Sequence, residues 1–223
     1  NRVTGGNISN IDGLIKAGGG ANLFLINPAG IVFGENASLN IGGSFFGSTA
    51  ESILFEDGFE FSAVNPQNQP LLTISVPVGL QMGTNPGAIE VEGTGHNLIS
   101  ATTFSQLKRS TDKVNLQVQP GKTLALVGGE VNLNGGILTA EKGNIELGSV
   151  GEGTVNLNQN NQRFTLEYTG VSNFRDIQLS KQSLIDTSGE NAGEIQLQGA
   201  NLNLNDGSKI WIQNRGLGTS GNI

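Results

Sequence analysis

The 223-residue chain contains no cysteine, and only one histidine, one tyrosine, one tryptophan and one methionine. Without cysteine there is no disulfide framework and no thiolate metal site. With His96 as the lone imidazole, a zinc site of several histidines and a His-Glu-x-x-His pair are both excluded. Charged residues make up 14% of the chain and leave a net charge of −7. The densest basic patch, Lys108-Arg109 with Lys113, is interrupted by Asp112 and reads as a solvated loop. Nucleic acids and anionic membranes reward clustered cations, so neither is expected as a partner. No apolar run approaches the ~20 residues that span a bilayer as a helix. Asn1-Arg2-Val3-Thr4 lacks the charged and apolar regions of a signal peptide, so the chain does not begin with one, and if the protein is exported its signal is expected upstream of Asn1.

What is abundant is glycine, at 34 residues, together with 36% hydrophobic residues, too many for a disordered chain. Glycine does not fall at every third position, which excludes collagen. Asparagine alternates with apolar residues in Val131-Asn132-Leu133-Asn134 and Asn201-Leu202-Asn203-Leu204-Asn205. This is a β-and-turn composition, and the length fits a single all-β domain.

Short strands recur with a fixed grammar. Ser183-Leu184-Ile185-Asp186 is followed by Gly193-Glu194-Ile195-Gln196-Leu197, and Ser208-Lys209-Ile210-Trp211 by Gly221-Asn222-Ile223. Earlier, Thr123-Leu124-Ala125-Leu126-Val127, Val131-Asn132-Leu133, Ile137-Leu138-Thr139 and Asn144-Ile145-Glu146-Leu147 are each closed by a glycine turn. An interval of roughly 21 to 28 residues marks a solenoid or array. Strands this short, with turns this close, fit a sandwich poorly and a parallel β-helix well, its inward residues forming apolar ladders. A β-roll or a propeller could use similar strands.

Residues 62–118 break the rhythm. Pro66, Pro70, Pro77 and Pro86 crowd this segment, and proline cannot donate to a central ladder. Leu71–Val76 and Ala88–Glu92 still read as strands, so extra-helical strands or a hairpin are expected here, then a polar connection from Ser105 to Lys113. Arg163–Tyr168, within the irregular stretch 159–174, reads as another added strand. The expected organisation is one domain over 1–223: first coils at 1–58, extra-helical strands and connection at 62–118, and further coils at 119–223. Phe24, Phe33, Phe45, Phe46, Phe55, Phe59 and Phe61 fall in the first third. Most are expected in a stacked core, with Phe59 and Phe61 outside it.

Catalytic chemistry has little to work with. His96 sits in a glycine turn without a neighbouring carboxylate and reads as a loop imidazole. Gly121-Lys122-Thr123 lacks the upstream glycine of a phosphate loop, with Leu116 in its place, and Gly18-Gly19-Gly20 lacks the strand–helix context of a dinucleotide site. No cofactor is expected. The enzyme alternative is a polysaccharide lyase or hydrolase, whose chemistry needs acidic groups gathered on adjacent coils. Asp176, Asp186, Glu194 and Asp206 are the candidates, and they share no evident face.

The turn Asn27-Pro28-Ala29-Gly30-Ile31 lies between the apolar strands Leu23–Ile26 and Ile31–Phe33. Proline pre-sets φ, asparagine can bond the backbone two residues on, and glycine supplies positive φ. Together with Arg2-Val3-Thr4-Gly5-Gly6, Ile11-Asp12-Gly13-Leu14-Ile15, Ala21-Asn22-Leu23-Phe24-Leu25-Ile26 and Leu39-Asn40-Ile41-Gly42-Gly43-Ser44-Phe45, this turn resembles the two-partner-secretion domain of filamentous-haemagglutinin-type exoproteins, the haemagglutination activity domain family. The likeness is dense to about Gly58 and looser through Gly121–Gly129. It implies an all-β, right-handed parallel β-helix with extra-helical strands. It also implies a secretion-signal module of a large bacterial adhesin, secreted or at the cell surface, without catalysis. The implied partner is an outer-membrane transporter of the TpsB/Omp85 type carrying POTRA modules, with host or neighbouring-cell surfaces reached through the rest of the protein. The family's Asn-Pro-Asn-Gly-Ile motif has Ala29 at its third position here. Its upstream Asn-Pro-Asn-Leu motif is missing, which reads as truncation at Asn1 or a divergent subfamily. The chain is expected to be a fragment of a longer exoprotein.

Overall fold

The structure, a computed structural model, describes residues 1–66, 75–98 and 115–223. Every regular element among them is a β-strand. Most strands belong to three parallel stacks. The first runs Ser9–Ile11, Ile31–Phe33, Ile89–Glu92, Val131–Asn134, Ile177–Ser180 and Leu202–Leu204. The second runs Leu116–Gln117, Ile137–Thr139, Leu184–Asp186 and Lys209–Trp211, and the pair Leu14–Ala17 and Ser38–Ile41 occupies the same place in the two earliest rungs. The third contains Leu23–Ile26, Phe45–Ser48, Thr123–Gly128, the opening residues of Asn144–Asn160, and Glu194–Gln198. The chain visits the first, second and third stacks in turn and then begins again one rung further along.

Register follows from side-chain alternation. In the first stack Ile31, Ile89, Val131, Ile177 and Leu202 lie opposite one another, as do Phe33, Val91, Leu133, Leu179 and Leu204. In the third stack Phe45, Leu124, Ile145 and Ile195 align. A one-residue slip would turn each apolar set outward, so burial of one face fixes the pairing. The inward ladders form one core that includes Phe33 and Phe45, whose rings meet edge to face at 6.1 Å.

The outer face of the third stack is covered as well. Phe24 stacks flat on Phe46 at 4.1 Å, and Phe46 meets Phe164 edge-on at 4.9 Å. An antiparallel sheet lies over this face, built from Ser52–Phe55, Glu60–Ser62, Pro77–Met82, the far half of Asn144–Asn160, and Arg163–Phe174. Ile53, Leu80, Met82, Val155, Phe164 and Leu166 join Phe46 in this second core. Phe24, Phe55 and Phe61 pack partly buried against it, and Phe59 lies against Phe55 with centroids 5.6 Å apart.

The expected division of the chain needs two corrections. Ile89–Glu92 is not an added strand but a rung of the first stack, between Ile31–Phe33 and Val131–Asn134, and Leu116–Gln117 is likewise a rung of the second. The prolines permit this because Pro77 opens its strand and Pro86 sits in a turn, where no ladder donor is required. Conversely, the antiparallel cover begins at Ser52, inside the segment 1–58 assigned to the first coils. The added strand expected near Arg163–Tyr168 is present as Arg163–Phe174, antiparallel to its neighbour. Of the strand expected at Leu71–Val76, Leu71–Ile74 lies outside the described residues, as do the connection Ser105–Lys113 and the Lys108-Arg109 patch.

Candidate functional site

Asn27 is fully buried at the end of Leu23–Ile26, and its side chain makes the turn. Its Oδ1 accepts a hydrogen bond from the Ala29 N–H at 3.1 Å, and its carbonyl accepts from the Gly30 N–H at 3.1 Å. The side-chain bond to the residue two positions on is the one asparagine is suited to form. Its Nδ2 donates to the Asn7 carbonyl at 2.9 Å and to Ser9 Oγ at 2.8 Å, which fastens the turn to the preceding rung. On the other side the Asn27 N–H donates to the Ser48 carbonyl at 2.9 Å. Gly30 adopts φ 127°, a conformation that side chains resist. A Cβ there would sit 3.2 Å from the Ala88 carbonyl oxygen and 3.5 Å from Ile8 Cγ1. Ile31, fully buried, starts the next rung by donating to Ala88 O at 3.0 Å.

The turn is the start of a column. Gly87 N–H donates to the Pro28 carbonyl at 2.8 Å, and Gly129 N–H donates to the Gly87 carbonyl at 2.9 Å. The backbones touch so closely that a Cβ on Gly87 would lie 2.4 Å from Ala29 C and O, and one on Gly129 2.0 Å from Pro86 O. Asn27, Pro28, Ala29, Gly30 and Ile31 are therefore brought together as one hydrogen-bonded turn that supports the turns above it. Pro28 and Ala29 also line a cleft of about 240 Å³ with Val3, Thr4, Val64 and Pro66.

The candidate acids are not gathered. Asp176 accepts from Asn201 Nδ2 at 2.8 Å beside the first stack, and Asp206 accepts from the Lys181 N–H at 3.2 Å in a turn. Asp186 is buried in the second stack, where its Oδ1 accepts from the Ser188 N–H at 2.8 Å. Glu194 is exposed in the third, opposite Asn144. His96 has its Nε2 3.1 Å from the Gly207 carbonyl. Partial burial holds its pKa below the ordinary histidine value, with Lys209 adding to the effect and the Gly207 contact opposing it. No group of three or more metal-ligating side chains occurs among the described residues.

One titratable residue was missed from the sequence. Glu146 is 1% exposed beneath the cover strand Arg163–Phe174, and burial pushes its carboxyl up to about 8. Ile145-Glu146-Leu147 reads as inward-outward-inward, and only the cover turns the outward position into a buried one.

A search of the curated proteins and a search of the solved structures both return no match. The scan of family models returns one described as the TPS secretion domain, matched over residues 1–197. That span takes in the Asn27–Ile31 turn, the cover, and all but the last rung. The chain belongs to the family of two-partner-secretion (TPS) secretion domains.

Proposed function

We propose that this chain is the secretion-signal module of a large bacterial adhesin, recognised by a cognate outer-membrane TpsB-type transporter through its POTRA modules and carrying out no chemistry itself. Its three stacks are the faces of a right-handed parallel β-helix, and the antiparallel sheet is extra-helical. The observation that carries the reading is the family match over residues 1–197. Supporting it is the placement of Asn27, Pro28 and Gly30, the motif positions, in a buried turn that orders successive rungs. Recognition is by strand addition: edge or extended segments pair with a POTRA sheet through backbone hydrogen bonds, which tolerates a chain so poor in charge. The protein is secreted or displayed on the cell surface after transit through the periplasm, and host-surface contacts belong to other parts of the exoprotein.

A carbohydrate-active enzyme is the rival. It is disfavoured because Asp176, Asp186, Glu194 and Asp206 stand at separate places with individual partners or in solvent. Two assays divide the readings. Capture of the chain by the periplasmic part of its transporter, with no turnover of a panel of acidic polysaccharides, is the expected result. Turnover that is abolished by Asp186→Asn or Glu194→Gln would overturn the proposal.

A further inference from the structure

Arg163–Phe174 is laddered antiparallel to the far half of Asn144–Asn160, and side chains fasten it to the face of the third stack beneath. Thr123 Oγ1 accepts from the Phe164 N–H at 2.8 Å, and Asn144 Nδ2 donates to the Phe164 carbonyl at 3.3 Å. Two residues on, Leu166 is held the same way. Its backbone N–H lies against the Glu146 carboxyl, and its carbonyl accepts from Gln196 Nε2 at 3.1 Å. Glu146 and Gln196 face each other in register on neighbouring rungs, so each pair of rungs clasps one residue of the cover.

Glu146 is the weak member of this set. Its Oε2 is buried with no hydrogen-bond partner among the described residues, and so is the hydroxyl of Tyr168 two residues beyond Leu166. The hydroxyl lies over Gly148, where an added Cβ would approach it to 2.5 Å, so the space beside it is closed. The groups facing Glu146 offer no compensation. Tyr168 comes from the cover, and Glu194, an acid, comes from the next rung. Ala125 is the register partner on the preceding rung. The nearby cations at the hairpin tip are committed elsewhere, Lys122 to the Gln162 side chain and Arg163 to the Lys142 carbonyl. Burial, reinforced by Glu194 and opposed by the Leu166 N–H, keeps the carboxyl protonated through neutral pH.

We propose that Glu146 and Tyr168 form a proton-controlled latch: the Leu166–Tyr168 stretch of the cover strand stays clasped to the stack while the Glu146 carboxyl holds its proton and lifts from it when that proton passes to the solvent. The protonated acid can sit neutral beside the phenol. The carboxylate, with one backbone donor and an acid for a neighbour, gains most of its missing solvation by letting water under the strand. Thr123, Asn144 and Gln196 carry no titrating group, so the hold at Phe164 persists and opening is centred on Leu166 and Tyr168.

Amide hydrogen exchange of the intact chain tests this, with rates corrected for the intrinsic pH dependence of exchange. Between pH 6 and pH 9.5, protection of 163–174 is expected to fall at least tenfold relative to that of 131–134 in the first stack. In Glu146→Gln, which keeps a neutral side chain of the same shape, the ratio is expected to stay constant. Absorbance at 295 nm follows Tyr168, the only tyrosine, whose phenol burial keeps protonated. It should ionise at lower pH in the wild type than in Glu146→Gln. Equal pH dependence in the two proteins would overturn the latch. So would loss of protection in step with 131–134, or a Gln variant whose cover is already open at pH 6.

Discussion

Removing the Asn27 side chain should loosen the first two rungs, and the structure sets the size of the effect. Asn27→Ala deletes three hydrogen bonds: to the Ala29 N–H at 3.1 Å, the Asn7 carbonyl at 2.9 Å and Ser9 Oγ at 2.8 Å. Each contributes about 0.5–1.5 kcal/mol net, and a partner left buried and unsatisfied raises the loss to about 1–3 kcal/mol. Asn7 is exposed and Ser9 and Ala29 are half-buried, so water recovers part of it. The expected destabilisation is about 2–4 kcal/mol, a large share of a domain's usual ~5–15 kcal/mol. Asn36→Ala is the matched control: its side chain makes one exposed bond, to Asp12 Oδ2 at 3.0 Å, and losing it should stay within about 0.5 kcal/mol. Urea unfolding followed by far-ultraviolet circular dichroism gives both values from the midpoint at unchanged slope. If Asn27→Ala falls within about 0.5 kcal/mol of Asn36→Ala, the turn is held by its backbone alone and the argument fails.

Gly87→Ala should destabilise by about 1–3 kcal/mol, because its Cβ meets Ala29 backbone atoms at 2.4 Å, whereas Gly13→Ala, with nothing among the described residues within 4 Å, should be near neutral; thermal melts compare them. Stability should also fall as pH rises. The folded Glu146 carboxyl titrates near 8 against an ordinary 4.5, so the fold binds the extra proton between those values and loses stability as pH climbs through them. At pH 7 this amounts to about 3 kcal/mol at most, since opening the cover relieves it. Glu146→Gln should raise the urea midpoint at pH 7 and flatten its dependence on pH from 5 to 8.

The stacked rungs were legible because alternation and spacing are local. The interval from Leu124 to Ile145 is the register actually found, and so is that from Leu184 to Lys209. The cover was less legible. Gly148-Ser149-Val150-Gly151-Glu152-Gly153 has the composition of a turn, yet the strand runs through it as Asn144–Asn160, with register shifts near Glu152 and φ 124° at Gly153. Those glycines are there for close approach, since a Cβ on Gly153 would lie 2.3 Å from Gly170 O. At the candidate site, the Asn27-to-Ala29 bond could be read from residue types. The Nδ2 bonds to Asn7 and Ser9 could not, because they depend on which rung lies beneath. Glu146 was hidden for a similar reason: its burial is produced by Phe164, Leu166 and Tyr168, 18 to 22 positions away in the chain.

Export through the transporter, measured for two glycine variants of matched stability, tests the account most directly. Gly30→Val forces a β-branched residue to φ 127° within the motif, and Gly207→Val does so at φ 75° in the last rung, beyond the matched residues 1–197. Each strain is on the order of 1–3 kcal/mol, and temperature or a second-site change can bring the two to equal unfolding midpoints. The account predicts that, with the cognate transporter present, Gly207→Val reaches the medium at close to wild-type levels while Gly30→Val is retained in the periplasm. Equal secretion of the two variants at equal stability would contradict it and remove Asn27–Ile31 from any special part in export.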